Sequence, residues 1–347
     1  MNYLNKNIDS VIWLQTSFLG DVILNTAAFN VLKSHAPDVK QVLITTPVGA
    51  KALSEHPSLD HILVFDKKKT SLLKAIYELR KKLKQLDLGN SVILQAHKSF
   101  RSSFLTVNLP YPRITYEESS FKIGARTVPR VAVLHESQRA GLLLEPLGID
   151  RADIVDGRMS LAQAPLNAEL NAQLSNLKTK LVAMAPGSVW GTKRWPAESY
   201  AELAQKILDD GKKLLLLGSA QEEAQAAVIR ERIGSHQNLI DLVGKTSLDD
   251  LRGIYPKLDL IVCNDSSPIH YASAFNVPTI AIFGATVEGM GFGPRAQGSM
   301  VLGSSFEQAP CRPCSDHGPQ TCPLGHFVCM KGVAVSRVYD AITSALD

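Results

Sequence analysis

Short apolar runs alternate with amphipathic stretches along almost the whole chain, and this alternation limits the folds open to it. In the first half, residues 11–14, 42–45, 62–65 and 91–95 read as buried strands. Residues 50–55 form a short helical pattern stopped at His56-Pro57, and Leu72, Leu73, Ile76, Leu79, Leu83 and Leu86 fall at helical spacing. Strands alternating with helices predict a parallel sheet with right-handed crossovers. The pattern restarts at 181–185 and continues through strands at 213–218, 239–242, 258–263 and 278–284. We therefore expect an α/β chain of two doubly wound, Rossmann-like domains facing each other across a cleft. The boundaries read as 1–165 and 166–330, with 331–347 as a closing C-terminal helix. Within this plan 137–145 is a helix stopped by Pro146, the Pro- and Tyr-rich segment through Arg126 is irregular, 160–165 is an edge strand or linker, and 166–177 is a helix crossing to the second domain.

In open α/β sheets, ligands bind outside the carboxyl ends of the strands, so the polar residues there carry the functional reading. The first strand runs into Ser17-Phe18-Leu19-Gly20-Asp21. Gly20 permits close approach of a ligand to the backbone; Asp21 is either a carboxylate at the site's mouth or a helix N-cap. The fourth strand runs into Ala96-His97-Lys98-Ser99-Phe100-Arg101. Lys98 and Arg101 could hold an anionic group, with Arg113, Lys122 and Arg126 following; ordinary surface charge is the alternative for each. In the second half, Gly187, Ser188, Lys193 and Arg194 follow one strand and Asn264-Asp265-Ser266-Ser267-Pro268-Ile269-His270 another. Small residues that expose backbone N–H groups, a lysine and a helix start suit a diphosphate. Glu222 or Glu223, after a third strand, could hold ribose hydroxyls or simply cap a helix; His270 could face the ligand or be a satisfied core histidine.

Other features exclude whole classes. No Walker-type loop and no Gly-x-Gly-x-x-Gly fingerprint follows any strand, which counts against an NTPase or an NAD enzyme. No apolar run is long enough to span a bilayer, and the first residues lack a signal-peptide pattern, which predicts a cytoplasmic protein. Residues 1–165 carry 21 Lys+Arg against 15 Asp+Glu, whereas the whole chain carries 37 against 33, so the basic surplus lies in the first half. It is too small to argue for nucleic acid. With Lys67-Lys68-Lys69 and the lysines of 74–84 it forms either a solvated helix face or a surface resting on anionic lipid. Four of the five cysteines, Cys311, Cys314, Cys322 and Cys329, crowd near the C-terminus. They read as reduced thiols in a packed loop or as a structural zinc site, in which His317 or His326 could substitute.

Phe18-Leu19-Gly20-Asp21-Val22-Ile23, Lys193-Arg194-Trp195-Pro196 and Asn264-Asp265-Ser266-Ser267-Pro268-Ile269-His270, taken in order, resemble the ADP-heptose:lipopolysaccharide heptosyltransferases of glycosyltransferase family 9. The similarity runs over nearly the whole chain, and the cysteine-rich tail is most similar to the heptosyltransferase II branch. The resemblance implies a GT-B fold and inverting transfer of heptose from ADP-heptose to the inner core of lipopolysaccharide, on the first core heptose, at the inner face of the cytoplasmic membrane, without a catalytic metal. It implies Asp21 as general base and Lys193 on the donor phosphates, acting in catalysis. By the same resemblance Ser188, Asp265, Ser266, His270 and, through its backbone, Thr246 belong to the donor site; the reading of the strand ends themselves adds Gly20, Glu222 and Ser267 to it and gives Lys98, Arg101 and Arg126 as the acceptor site. The chain departs from the family where Ser267 replaces the usual glycine and Pro268 a large apolar residue, which narrows the room for a diphosphate. Two other classes fit the architecture: a nucleotide-sugar epimerase, which needs more than one acid/base group near the sugar, and a non-catalytic nucleotide-sugar-binding protein, which needs no carboxylate at the mouth.

Overall fold

The computed structural model describes residues 8–66, 71–107, 109–175 and 177–347; the Lys67-Lys68-Lys69 run lies outside them. The chain divides into two compact units, Met1–Ala162 and Gln163–Asp347. The first contains β1 (Ser10–Leu14), β2 (Lys40–Thr45), β3 (His61–Val64), β4 (Ser91–Gln95), β5 (Arg113–Tyr116) and β6 (Ala125–Val128). They form one sheet in the order β3-β2-β1-β4-β5-β6, parallel at every pairing. The second contains β7 (Leu181–Ala185), β8 (Lys213–Leu216), β9 (Leu239–Asp241), β10 (Leu260–Asn264), β11 (Thr279–Ile282) and β12 (Met300–Leu302). Their order, β12-β11-β10-β7-β8-β9, is the same winding repeated, again all parallel.

The central strands are apolar throughout because helices cover both faces of each sheet; β1, β4, β7 and β10 are buried at every residue. In the first unit Ile12, Ile44 and Ile93 of the sheet meet Ile76, Leu79 and Leu83 of the helix Leu72–Lys84. Leu73 points outward instead, 78% exposed beside the exposed Lys74, Lys81, Lys82 and Lys84. In the second unit Met184, Leu216 and Val262 meet Tyr200, Leu203 and Ile207, and the final helix, Val335–Leu346, adds Val338, Ala341 and Ile342 to the same core.

The structure differs from the sequence reading in a few elements. β5 and β6 occupy the stretch read as irregular. β5 is polar in sequence yet buried, because its polar groups pair internally: Thr115 Oγ1 lies 2.6 Å from Ser119 Oγ, and Tyr116 OH donates to the Arg139 carbonyl at 3.1 Å. A short helix, Arg151–Asp156, and edge strand β12 are also present. Of the two readings of residues 160–165, the linker holds and the strand does not; the segment is pinned at its start by His56, whose Nε2 donates to the Ser160 carbonyl at 3.2 Å.

This winding puts a strand-order reversal between β1 and β4 in one unit and between β7 and β10 in the other. Such reversals open a crevice at the carboxyl ends of the two strands. Four of the five polar strand ends singled out above, at Asp21, Lys98, Ser188 and Asp265, therefore stand at the two reversals, while Glu222 follows the neighbouring strand β8.

Candidate active site

In the second unit the site is built around Asn264, the last residue of β10. Its Nδ2 donates to the carbonyls of Pro186 (2.7 Å) and Gly187 (3.2 Å) after β7. Its Oδ1 accepts from the Trp195 backbone N–H (3.0 Å) and the Tyr200 hydroxyl (3.1 Å). One buried amide thus fixes both loops that carry the candidate donor residues. The quoted motif contained Asn264, but only the structure shows it as the clamp.

Lys193 and Asp265 meet across these loops. Lys193 Nζ lies 2.6 Å from Asp265 Oδ2, with the side chains 12% and 7% exposed. Thr286 Oγ1 donates to the same carboxylate oxygen at 2.6 Å; sequence reasoning missed Thr286, which follows β11 with nothing local to mark it. The Asp265 carboxylate is therefore the counter-ion of Lys193. Arg194 folds back, its Nε donating to the Ser188 carbonyl at 2.7 Å. Ser188 is buried, and Ser266 Oγ sits 3.4 Å from the Gly187 carbonyl. His270 is buried; burial and then the nearby Lys193 charge lower its pKa to about 4, so the ring is neutral. Its Nδ1 has no hydrogen-bond partner among the described residues.

The helix Pro268–Ala274 begins at this point, with Ser267 as its N-cap and no side-chain cap bond. The N–H groups of Ile269 and His270 turn back to the carbonyls of Ser266 (3.1 Å) and Ser267 (3.0 Å), and Pro268 has none to offer. The helix start therefore offers an anion fewer N–H groups than the sequence suggested. Glu222 is brought beside Gly187: a Cβ added at Gly187 would lie 2.1 Å from Glu222 Cγ. Its Oε2 accepts from the Ser219 N–H at 2.6 Å in a capping box. Glu223 pairs with Arg230 at 2.6 and 2.9 Å. Thr246 follows Gly244, whose N–H donates to the Gly218 carbonyl at 2.9 Å, so its turn lies against the end of β8.

In the first unit the N-cap of the helix Leu19–Leu24 is Phe18, without a side-chain cap bond. The N-cap reading of Asp21 is thus overturned: Asp21 is the third helical residue, half-buried, and Gly20 the second. Beside this helix start, the N–H groups of Ala96 and His97 both donate to the Leu14 carbonyl at 3.1 Å, tying the ends of β4 and β1 together. Thr16 Oγ1 and Ser102 Oγ lie 2.9 and 2.8 Å from His97 Nδ1 and 2.7 Å from each other. Lys98 is half-buried on this rim, and Arg101 is exposed, its guanidinium 5.8 Å from the Phe65 ring centroid. Arg126 is exposed on edge strand β6, two strands from β4. Arg113 is buried and donates to the Ile123 carbonyl, and burial lowers its pKa, so it braces the loop after β5.

Of the two readings of the cysteine cluster, the zinc site is not supported. Among the described residues no group of three or more His, Cys, Asp or Glu side chains is placed to hold a metal ion. All five cysteines are free.

Comparisons with known proteins bear on the family and the fold. The sequence profile of glycosyltransferase family 9 (heptosyltransferase) matches residues 76–318. The lipooligosaccharide heptosyltransferase 2 of Campylobacter jejuni is 25% identical over 95% of this chain and 96% of its own length. The lipopolysaccharide heptosyltransferase 2 of Escherichia coli K12 is 35% identical over 30% of this chain and 31% of its own. Among solved structures, a family 9 glycosyl transferase from Veillonella parvula superimposes with a TM-score of 0.80 at 20% identity, covering 97% of both chains. E. coli ADP-heptose LPS heptosyltransferase II does so with a TM-score of 0.75 at 19% identity, covering 98% of both.

Proposed function

The chain belongs to glycosyltransferase family 9, and from that premise we propose that it moves a heptose from ADP-heptose to the inner core of lipopolysaccharide, with inversion and with the first core heptose as acceptor. The observation that carries the reading is the pairing of Lys193 with Asp265 and Thr286 at one strand-order reversal, in a chain whose other reversal presents Asp21.

The second unit binds ADP-heptose. Lys193 is held by a buried counter-ion, so its ammonium is fixed before the donor arrives, and a diphosphate competes with Asp265 for it. Ser188, Ser266 and Ser267 line the phosphates, Glu222 and Thr246 the nucleoside, and His270 the sugar. Being neutral, His270 can accept or donate a hydrogen bond without adding charge. On the first unit Asp21 takes the proton of the acceptor hydroxyl as that oxygen bonds to the anomeric carbon, an effect typically worth about 10²–10⁴-fold. The bond from the anomeric carbon to the ADP oxygen breaks on the opposite face, which inverts the centre. Negative charge gathers on the leaving phosphate, where Lys193 stabilises it. Lys98, Arg101 and Arg126 attract the anionic acceptor, and the basic first unit favours contact with the inner membrane face.

The epimerase and non-catalytic readings are less favoured, since the family match is to transferases. The test is incubation with ADP-heptose and a core acceptor carrying a single heptose. A product heavier by one heptose, with stoichiometric ADP, supports the proposal; isomerised sugar or unchanged donor overturns it.

A further inference from the structure

The cysteine-rich segment after β12 has no role in the mechanism above, yet it grips the Lys193–Asp265 pair from both sides. On the lysine side, Thr192 N–H and Oγ1 both donate to the Pro319 carbonyl, at 3.2 and 2.5 Å. Gln320 accepts from the Gly191 N–H through Oε1 (3.1 Å) and donates to the Val189 carbonyl through Nε2 (3.1 Å). Next to these bonds the Trp190 and His317 rings stack at 6.0 Å with planes 6° apart. On the aspartate side, the Cys314 N–H donates to the Ala285 carbonyl at 2.8 Å, and Arg312 donates to the carbonyls of Thr286 (3.0 Å), Phe283 (3.3 Å) and Ser304. Thr286 is the residue whose hydroxyl holds Asp265.

Gly318 joins the two grips. Its φ is +73°, and a Cβ there would lie 2.9 Å from Thr192 Oγ1, 3.2 Å from the Ala285 Cβ and 3.6 Å from the Lys193 Cγ. The segment therefore packs directly on the lysine stem and on the neighbour of Thr286. Arg312 is half-buried and burial lowers its pKa. A half-buried guanidinium spent on main-chain carbonyls makes a stiff cross-brace, because its planar fork fixes several acceptors at once.

We propose that residues 311–320 are a positioning brace: Arg312, Gly318 and Gln320 set the distance between Lys193 and Asp265 and so tune how readily the lysine is surrendered to a diphosphate. None of the three is assigned contact with substrate. The inference rests on the reading of Lys193 as the diphosphate contact.

The test places Arg312→Lys and Gln320→Ala in the wild-type protein and in Lys193→Ala. ADP affinity is measured by calorimetry, donor KM and kcat by turnover, and the acetylation rate of Lys193 by acetic anhydride with peptide mass analysis in the absence of ligand. Each single variant is expected to change ADP affinity about 5-fold or more, to split KM from kcat, and to speed Lys193 acetylation several-fold while the melting temperature holds within a few degrees. In the Lys193→Ala background the same substitutions are expected to change ADP affinity less than about 2-fold, the non-additivity of groups acting through one partner. Effects that persist undiminished without Lys193, or an unchanged acetylation rate, overturn the brace. A wild-type protein that binds no ADP overturns the donor reading instead, and the acetylation rates then decide the brace alone.

Discussion

At the scale of single residues, the buried Lys193–Asp265 pair makes the sharpest demands. Breaking such a pair leaves an uncompensated buried charge, which typically costs about 3–5 kcal/mol. Lys193→Ala should therefore lower both turnover and thermal stability, and adding Asp265→Asn should recover stability without recovering turnover. Denaturant melts beside turnover rates check this; a double variant as unstable as the single one contradicts it. Two histidines make a pH prediction. His56 and His270 are both buried, and burial lowers each to a pKa of about 4. In the unfolded chain each titrates near 6.5, so between pH 6.5 and 4 the unfolded state binds protons that the folded state refuses. Stability is thus fully present above 6.5, declines as pH falls through this window and levels off, for these groups, below 4; a shift of this size corresponds to roughly 3 kcal/mol per histidine. His56 Nε2 donates to the Ser160 carbonyl and its Nδ1 accepts from the Ser58 N–H, so the ring is held in one neutral tautomer. Melting temperatures from pH 7 to 4.5 should fall, and His56→Gln should flatten the slope; a slope unchanged by that substitution contradicts the assignment.

At the scale of elements, the loop after β7 depends on close approach. A Cβ at Gly191 would sit 2.1 Å from the Gln320 carbonyl oxygen, a backbone atom that cannot swing aside. Gly191→Ala should therefore separate this loop from the cysteine-rich segment and lower ADP affinity at least about 10-fold, while far-UV circular dichroism stays native; unchanged affinity would show that the contact carries nothing. The central strands were legible in the sequence because strands buried on both faces are written as unbroken Val, Ile and Leu runs. The polar strand ends were legible for the same reason, since polar residues stand out where such a run stops. β5 and β6 were not, because Arg113, Thr115 and Tyr116 find partners only in the fold, and β6 is an exposed edge. In a one-dimensional pattern Asp21 reads either as a cap or as a carboxylate at the mouth; only the backbone shows the helix opening at Leu19. Thr286 and Arg312 were hidden because their partners, Asp265 and the carbonyls after β11, are remote in sequence.

At the scale of the whole molecule, one winding is used twice, and each copy carries a polar rim at its own strand-order reversal. Charge divides unevenly between the copies: the surplus of Lys and Arg lies in residues 1–165, and the helix Leu72–Lys84 turns its lysines outward. If that surface meets anionic lipid, the attraction is screened within a Debye length of about 10 Å at 0.1 M salt. Co-sedimentation with phosphatidylglycerol vesicles should be seen at low salt and lost by about 0.5 M; no binding at low salt contradicts a lipid-facing role. The central claim is a division of labour, with proton removal on the first unit and diphosphate binding on the second. The most direct measurement compares Asp21→Ala with the wild-type protein for ADP affinity and for heptosyl transfer. The account predicts an ADP dissociation constant within about 2-fold of wild type and turnover lower by about 10²–10⁴-fold; near-normal turnover in that variant would remove Asp21 from the reaction and contradict the account.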